Sequence, residues 1–376
     1  MKKYILLSVL FCISLSACIT PYEATGIDEL GDILVVEGII TDDETVITLS
    51  RSVMLLSDAN SGIIFVDNAR VYVECEDGSQ WEAEPPPGWD FGSSWRGGKY
   101  LIKNNHLDPD LKYRLKIEIE ELEYCSDYSN PIVTPEIDSI FWTKRERGYP
   151  VMIHVATHSP DNKVLYYRWS YKEDWEIHSD VFLRNYPFYC WNYENSRDIL
   201  IGSAEKTVFG RISDILTGIS PSSEKLSVLY RITVKQNAIS KRSYDYYANI
   251  KKNAQQIGSI FAPIPSELRG NIVCTSEPNR LVIGYVDVSS TTQKHRFISR
   301  EEGIYEPFSM NCKPFTMEEL LEMYDEFPLG YVLFEWWNPE QSPPMGVIFE
   351  YIHIRCVDCT FYGSTEQKPE NWPDKK

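Results

Sequence analysis

The residues best suited to chemistry are His353, Cys356 and Cys359, a His-x-x-Cys-x-x-Cys run near the C-terminus. Imidazole and thiolate are zinc ligands, and three at this spacing need only a fourth from elsewhere. The two cysteines could instead exchange thiols with disulfides, or each could bridge to a distant partner such as Cys190 or Cys312. A thiolate site in an exported chain competes with oxidation, a single Cys-x-x-Cys is present, and no strand–helix–strand pattern surrounds it. Disulfides to distant partners are therefore favoured, with no metal expected. His154 and His158 are four apart on an expected strand, which puts them on one face but about 13 Å apart, too far to share a metal. Asp42-Asp43-Glu44 reads as a solvated turn rather than a calcium loop. Trp336-Trp337 and the loop aromatics Trp89, Phe91 and Trp95 could stack on sugars or apolar peptide side chains. The last three sit in a Pro/Gly-rich loop where core packing is hard to arrange, and they are the candidate contact surface. No nucleophile elbow, His-Glu-x-x-His or phosphate-binding loop occurs, so no catalytic residue is nominated, no cofactor is expected, and the chain is not read as an enzyme.

The N-terminus supplies an address. Lys2 and Lys3 precede a compact apolar run that ends in Leu15-Ser16-Ala17-Cys18. This has the layout of a secretory signal, and its ending resembles the lipobox of bacterial lipoproteins. The run is well short of the ~20 residues that cross a bilayer. Residues 1–17 are then the signal peptide, Cys18 carries the lipid, and 18–31 form a tether. The 376 residues are 43% hydrophobic and 24% charged, as in ordinary globular proteins, with a net charge of −18. So acidic a chain does not suit nucleic acid or anionic lipid head groups as partners. Of nine cysteines, Cys12 leaves with the signal and Cys18 is lipidated. Cys75, Cys125, Cys190, Cys274, Cys312, Cys356 and Cys359 remain as candidate disulfide cysteines. Their odd number leaves at least one thiol without an internal partner. Cys75 with Cys125 is the first expected pair, since both fall on or beside strands of one small domain.

The pattern that must position these residues is mainly β. Ile33 to Ile40 and Thr45 to Leu49 are β-branched runs about a turn. Val71, Val73 and Cys75 alternate before Asp77-Gly78, and Tyr113, Leu115, Ile117 and Ile119 alternate with charged residues. Short strands without an intervening helix suggest an immunoglobulin-like sandwich over 32–135. Within it Leu111 to Leu115 looks like a segment whose tyrosine hydroxyl bonds back to a turn. Pro131 and Pro135 bracket a boundary, and 136–376 reads as a second sandwich with a less regular stretch from Asp180 to Glu224. A long helix is expected at about 240–257, capped by Ser240, with Tyr244, Tyr247, Ile250, Ala254 and Ile257 on one face. A shorter one spans Met317 to Tyr324 behind a Thr316/Glu319 capping box. The expected architecture is thus tandem immunoglobulin-like β-sandwich domains with one long and one short helix inserted in the C-terminal half.

Two segments carry a family resemblance: Asn253 to Pro265 followed by Arg269-Gly270-Asn271-Ile272, and Cys356-Val357-Asp358-Cys359-Thr360 with Gly363, Pro369 and Trp372 after it. With the lipobox and Leu34-Val35-Val36-Glu37-Gly38, they resemble the Bacteroidota outer-membrane lipoproteins known as domain of unknown function 4249. The resemblance spans nearly the whole mature chain. It implies a lipid-anchored outer-membrane protein of β-sandwich domains, often encoded beside a TonB-dependent transporter and without an established activity. The segment after Cys18 carries a single acid, Glu23, where the family's surface-export signal is usually an acidic run. The periplasmic and cell-surface faces both stay open. The expected function is a binding or accessory module partnering such a transporter; the alternatives are a structural or adhesive surface protein and an unrecognised hydrolase.

Overall fold

A computed structural model describes residues 33–52, 63–84, 97–103, 107–256, 270–306, 312–324, 326, 328–337 and 347–374. Cys18, Trp89, Phe91 and Trp95 lie outside the described residues. The first sandwich has one sheet ordered β17 (Val282–Gly284), β1 (Leu34–Glu37), β2 (Glu44–Arg51) and β3 (Ile64–Phe65), with β6 (Lys99–Lys103) also on β2. The other runs β16 (Ile272–Cys274), β8 (Leu122–Ser126), β7 (Tyr113–Ile119), β4 (Arg70–Cys75) and β5 (Gln80–Glu82). Strand periodicity decides what each sheet buries. In β7, Tyr113, Leu115, Ile117 and Ile119 enter the core while Arg114, Lys116 and Glu118 stay half-buried outside. There Arg114 pairs with Glu74 at 2.7 Å and Lys116 with Glu123 at 3.0 Å. The Tyr113 hydroxyl accepts the Asp108 N–H at 2.8 Å, the bond to a turn that the sequence suggests.

The boundaries differ from expectation in one respect. Residues 32–135 do not complete the first sandwich, because β17 pairs in parallel with β1 and β16 pairs antiparallel with β8. Both strands come from beyond residue 270, so 136–376 is not one contiguous domain. Asn271 shows how the returning segment is held. Its side-chain amide donates to Val286 O at 2.8 Å and its carbonyl accepts the Val286 N–H at 2.9 Å, replacing a missing ladder rung. Beside it Gly270 lies so close to the Gly284 carbonyl that any Cβ would overlap it.

The second sandwich packs β14 (Arg211–Ile219), β10 (Val151–His158) and β9 (Ile137–Thr143) against a larger sheet. That sheet is ordered β12 (Tyr189–Asn195), β11 (Tyr166–His178), β15 (Leu229–Ala238) and β18 (Thr291–Ser299), with β13 (Leu200–Ser203) also on β11. Ile140, Ile153, Val155, Tyr167, Trp169, Tyr230, Ile232, Val234 and Ile298 form its core. The stretch read as irregular therefore contains β12, β13 and β14. Tyr-Cys-Trp-Asn-Tyr-Glu-Asn in β12 has no β-branched residue, and its strand form follows from pairing with β11. A hairpin of β19 (Tyr331–Trp337) and β20 (Val347–His353) completes the described strands.

Helix α1 spans Lys241–Gln256, and the Ser240 hydroxyl accepts the Ser243 N–H at 3.2 Å as its cap. Ser243, Tyr246 and Tyr247 form its buried face and Ile250 is half-buried, whereas Tyr244 is only half-buried and Ala254, in the last turn, is exposed. Helix α2 spans Met317–Met323 with the Thr316/Glu319 capping box in place. Leu320 alone of its apolar residues is buried, and Met317, Leu321 and Tyr324 are exposed.

Cys75, Cys125 and Cys274 are buried free thiols, so the expected Cys75–Cys125 bridge is not made. Cys75 pairs with Tyr113 and Cys125 with Lys116, on strands that flank β7 from opposite sides. They are two strand spacings, about 9.5 Å, apart before the offset along the strands is added, and they point to opposite faces. A disulfide needs Cα atoms about 4.4–6.8 Å apart. Replacing Asn271 with alanine orphans both Val286 backbone groups; it should lower stability by about 2–3 kcal/mol, read from the urea unfolding midpoint.

Candidate functional site

The site begins where β20 ends. His353 caps a single 3-10 turn, Ile354–Cys356, by accepting the Arg355 N–H on Nδ1 at 3.2 Å. Asp358 caps the next turn, Cys359–Tyr362, by accepting the Thr360 N–H at 2.8 Å. Turns this short hold little stability of their own. What fixes them is covalent: Cys190 is bonded to Cys359 across 169 residues, and Cys312 to Cys356 across 44. The Cys-x-x-Cys motif is therefore two bridges to separate partners rather than a dithiol. Asp180, Cys312 and Cys356 lie close together, but both sulfurs are committed to a disulfide and supply no thiolate to a metal.

Main-chain bonds seat the same segment on the second sandwich. The Val181 N–H donates to Cys356 O at 2.9 Å and the Cys359 N–H to Pro187 O at 3.2 Å. Trp191 and Thr365 exchange N–H···O bonds at 2.7 and 2.9 Å. The tail then crosses the outer face of the β12–β11–β15–β18 sheet. Trp372, only 5% exposed, donates its indole N–H to Glu176 Oε2 at 3.1 Å and packs edge-on against Phe297. Arg231 is ion-paired to buried Asp174 at 2.8 Å and reaches the Glu370 carbonyl at 2.7 Å. Two carboxylates that burial would otherwise penalise, Asp174 and Glu176, thus each have a partner.

Between this strap and the sheet lies a cavity of about 270 Å³. Its polar lining includes His178, Asp180, Glu224, Tyr305, Arg355 and Ser364. Arg355 Nε and Ser364 Oγ are buried and have no hydrogen-bond partner. His178 Nε2 is 2.6 Å from Glu176 Oε1, and Tyr189 packs edge-on against the ring. Glu224 accepts the Trp175 indole N–H at 3.3 Å. Asp180 is exposed as a residue, yet partial desolvation of its carboxyl by the neighbouring atoms pushes it above its usual range, and the Arg355 charge opposes that shift. Burial likewise raises the Tyr305 phenol, opposed by Arg300, whose guanidinium lies 5.3 Å from the ring centre. Of the other hydroxyls lining the cavity, Ser179 donates to Pro187 O at 2.9 Å and Ser227 to Glu224 O at 2.7 Å. The arrangement offers a guanidinium edge and a free hydroxyl inside, with two carboxylates at the mouth.

Sequence reasoning found Cys190, Cys312, Cys356 and Cys359 but not the cavity. Two cavity residues carry a local signal: Cys359 belongs to the His-x-x-Cys-x-x-Cys run itself, and Arg355 stands inside it. The other singled-out residues lie apart from it. His154 stacks on Phe141 and bonds Thr143 Oγ1 at 2.8 Å, while His158 pairs with Asp138 at 2.7 Å, so the two do not share a ligand. Asp42 accepts the Thr291 N–H at 3.0 Å.

Two comparisons with known proteins bear on this chain. Residues 19–295 match a family model described as "Domain of unknown function (DUF4249)". A solved two-domain fibronectin type-III segment from chicken tenascin is similar at 12% identity, covering 56% of this chain and 90% of that one, with a TM-score of 0.15. No curated protein matches the chain.

Peptide mapping without reductant should recover Cys190 linked to Cys359 and Cys312 to Cys356, with Cys75, Cys125 and Cys274 alkylated only after unfolding. Loop-closure entropy makes the longer bridge worth about 5 kcal/mol and the shorter about 4. The Cys190→Ala/Cys359→Ala pair should therefore lower the unfolding midpoint more than Cys312→Ala/Cys356→Ala. Trp372→Ala empties the space under the strap and should cost about 3–5 kcal/mol in denaturant titrations.

Proposed function

The chain belongs to the DUF4249 family, and on that premise we propose that it is a lipid-anchored binding or accessory module of the bacterial outer membrane, working beside a TonB-dependent transporter. The observation that carries this reading is the strap: a C-terminal segment held by two disulfides over a polar cavity on an immunoglobulin-like sandwich. Disulfides of this kind form and persist in oxidising compartments, which agrees with reading Met1 to Ala17 as an export signal and Cys18 as the lipidated residue. Among the described residues no helix is long and apolar enough to cross a membrane, so in this reading the lipid at Cys18 supplies the attachment. Sandwich loops and edges are rigidly presented surfaces, suited to holding a ligand or docking on a larger partner. A cavity lined by both charge signs supports binding; it does not by itself specify a reaction.

Cys18→Ala should move the protein from the membrane fraction to the soluble fraction, and retention in the membrane would contradict the anchor. Purification of the tagged native protein in mild detergent should bring down a TonB-dependent barrel in stoichiometric amount, identified by mass spectrometry. A protein that comes out alone overturns the partnership.

A further inference from the structure

We infer that the strapped cavity binds a small zwitterion of the α-amino-acid class, carboxylate inward against Arg355 and ammonium outward between Asp180 and Glu224. The inference deepens the binding reading of the same site and rests on it. Arg355 presents a buried Nε–H with no acceptor, and Ser364, 8% exposed, holds a second buried polar atom without a partner beside the same cavity. Arg355 as a whole is half-buried, but an N–H shut away from both water and an acceptor is unfavourable, and the guanidinium edge matches a carboxylate in a two-point geometry. The mouth has the opposite character, since Asp180 and Glu224 line the cavity yet are exposed.

This polarity selects the ligand class. A simple anion would satisfy Arg355 but meet two carboxylates on its way in, and a simple cation would satisfy the mouth but face the guanidinium inside. A molecule carrying both charges a few ångströms apart pairs with each, so that every charged group it must desolvate gains an opposite partner. Size agrees: about 270 Å³ falls just below the roughly 300–1,000 Å³ of pockets that take drug-sized ligands. Ile177, Tyr305 and the Cys359 sulfur supply apolar wall for a modest side chain.

The test is calorimetric titration of the mature chain with L-alanine, L-leucine and L-phenylalanine, alongside N-acetyl-L-leucine, L-leucine amide and glucose. At least one free amino acid should bind. Acetylating the amine or amidating the carboxylate should each weaken binding roughly tenfold or more, the scale of one lost ionic contact. Arg355→Gln should weaken the free amino acid by a similar factor while leaving the unfolding midpoint in place. Asp180→Asn serves as the second variant and should weaken the free amino acid more than the acetylated form. Absence of binding by all three amino acids, indifference to masking either charge, or preference for glucose would overturn the inference. A co-purifying barrel with no amino-acid binding would sink the ligand class alone, whereas amino-acid binding by a chain that purifies without a barrel would sink the partnership alone.

Discussion

The structure depends on one segment, residues 286–291, that belongs to both sandwiches. Ile40 donates its N–H to Asp287 O and accepts from the Ser289 N–H, both at 2.9 Å, which ties the segment to the end of β1. Ile132 donates to Val288 O, and Ser290 donates back to Ile132 O, so the outgoing and returning connections run side by side. The Thr134 hydroxyl accepts the Ala238 N–H at 2.9 Å and bonds Ser290 O. Asn237 reaches Thr291 Oγ1 at 2.8 Å. Two chain crossings in a buried place would leave many backbone groups without water. Here short Ser, Thr and Asn side chains satisfy them. With that junction made, β16 and β17 complete the first sandwich and β18 closes the edge of the second.

The C-terminal strap obeys a different constraint. Its short 3-10 turns hold little structure of their own, and two disulfides, Trp372 and a small apolar cluster around Val357, with Ile352, Val181 and Leu183, anchor them. Anchoring from both sides keeps a cavity open between tail and sheet instead of letting the side chains collapse into it. The charges then follow from where the pieces come: Arg355 from the turn that leads into Cys356, Asp180 from just past the end of β11, and Glu224 from the connection before β15.

How much of this could be read beforehand varies with the range of the interaction. The alternation of Tyr113 to Ile119, the Ser240 cap and the Thr316/Glu319 capping box are contacts within a few residues, and all appear as expected. That Cys356 and Cys359 bridge to distant partners such as Cys190 or Cys312 is legible from an exported chain with a lone Cys-x-x-Cys, but which cysteine bonds which is set only by the fold. Cys75 and Cys125 misled for the converse reason. Nearness of two strands in one domain says nothing about whether their side chains share a face, and β7 separates them.

By itself, then, the sequence determined the class of fold, the N-terminal caps of both helices, and a family membership carried by short ordered motifs. All of these rest on local stereochemistry or on residue order. Tertiary structure alone decided that β16 and β17 return to the first sandwich and that three cysteines stay reduced. It also brought Arg355, Asp180, Glu224 and Ser364 around one cavity. These are pairings across tens to hundreds of residues, chosen by which edges and faces remain unpaired once the rest of the chain has packed, and no local pattern encodes that choice.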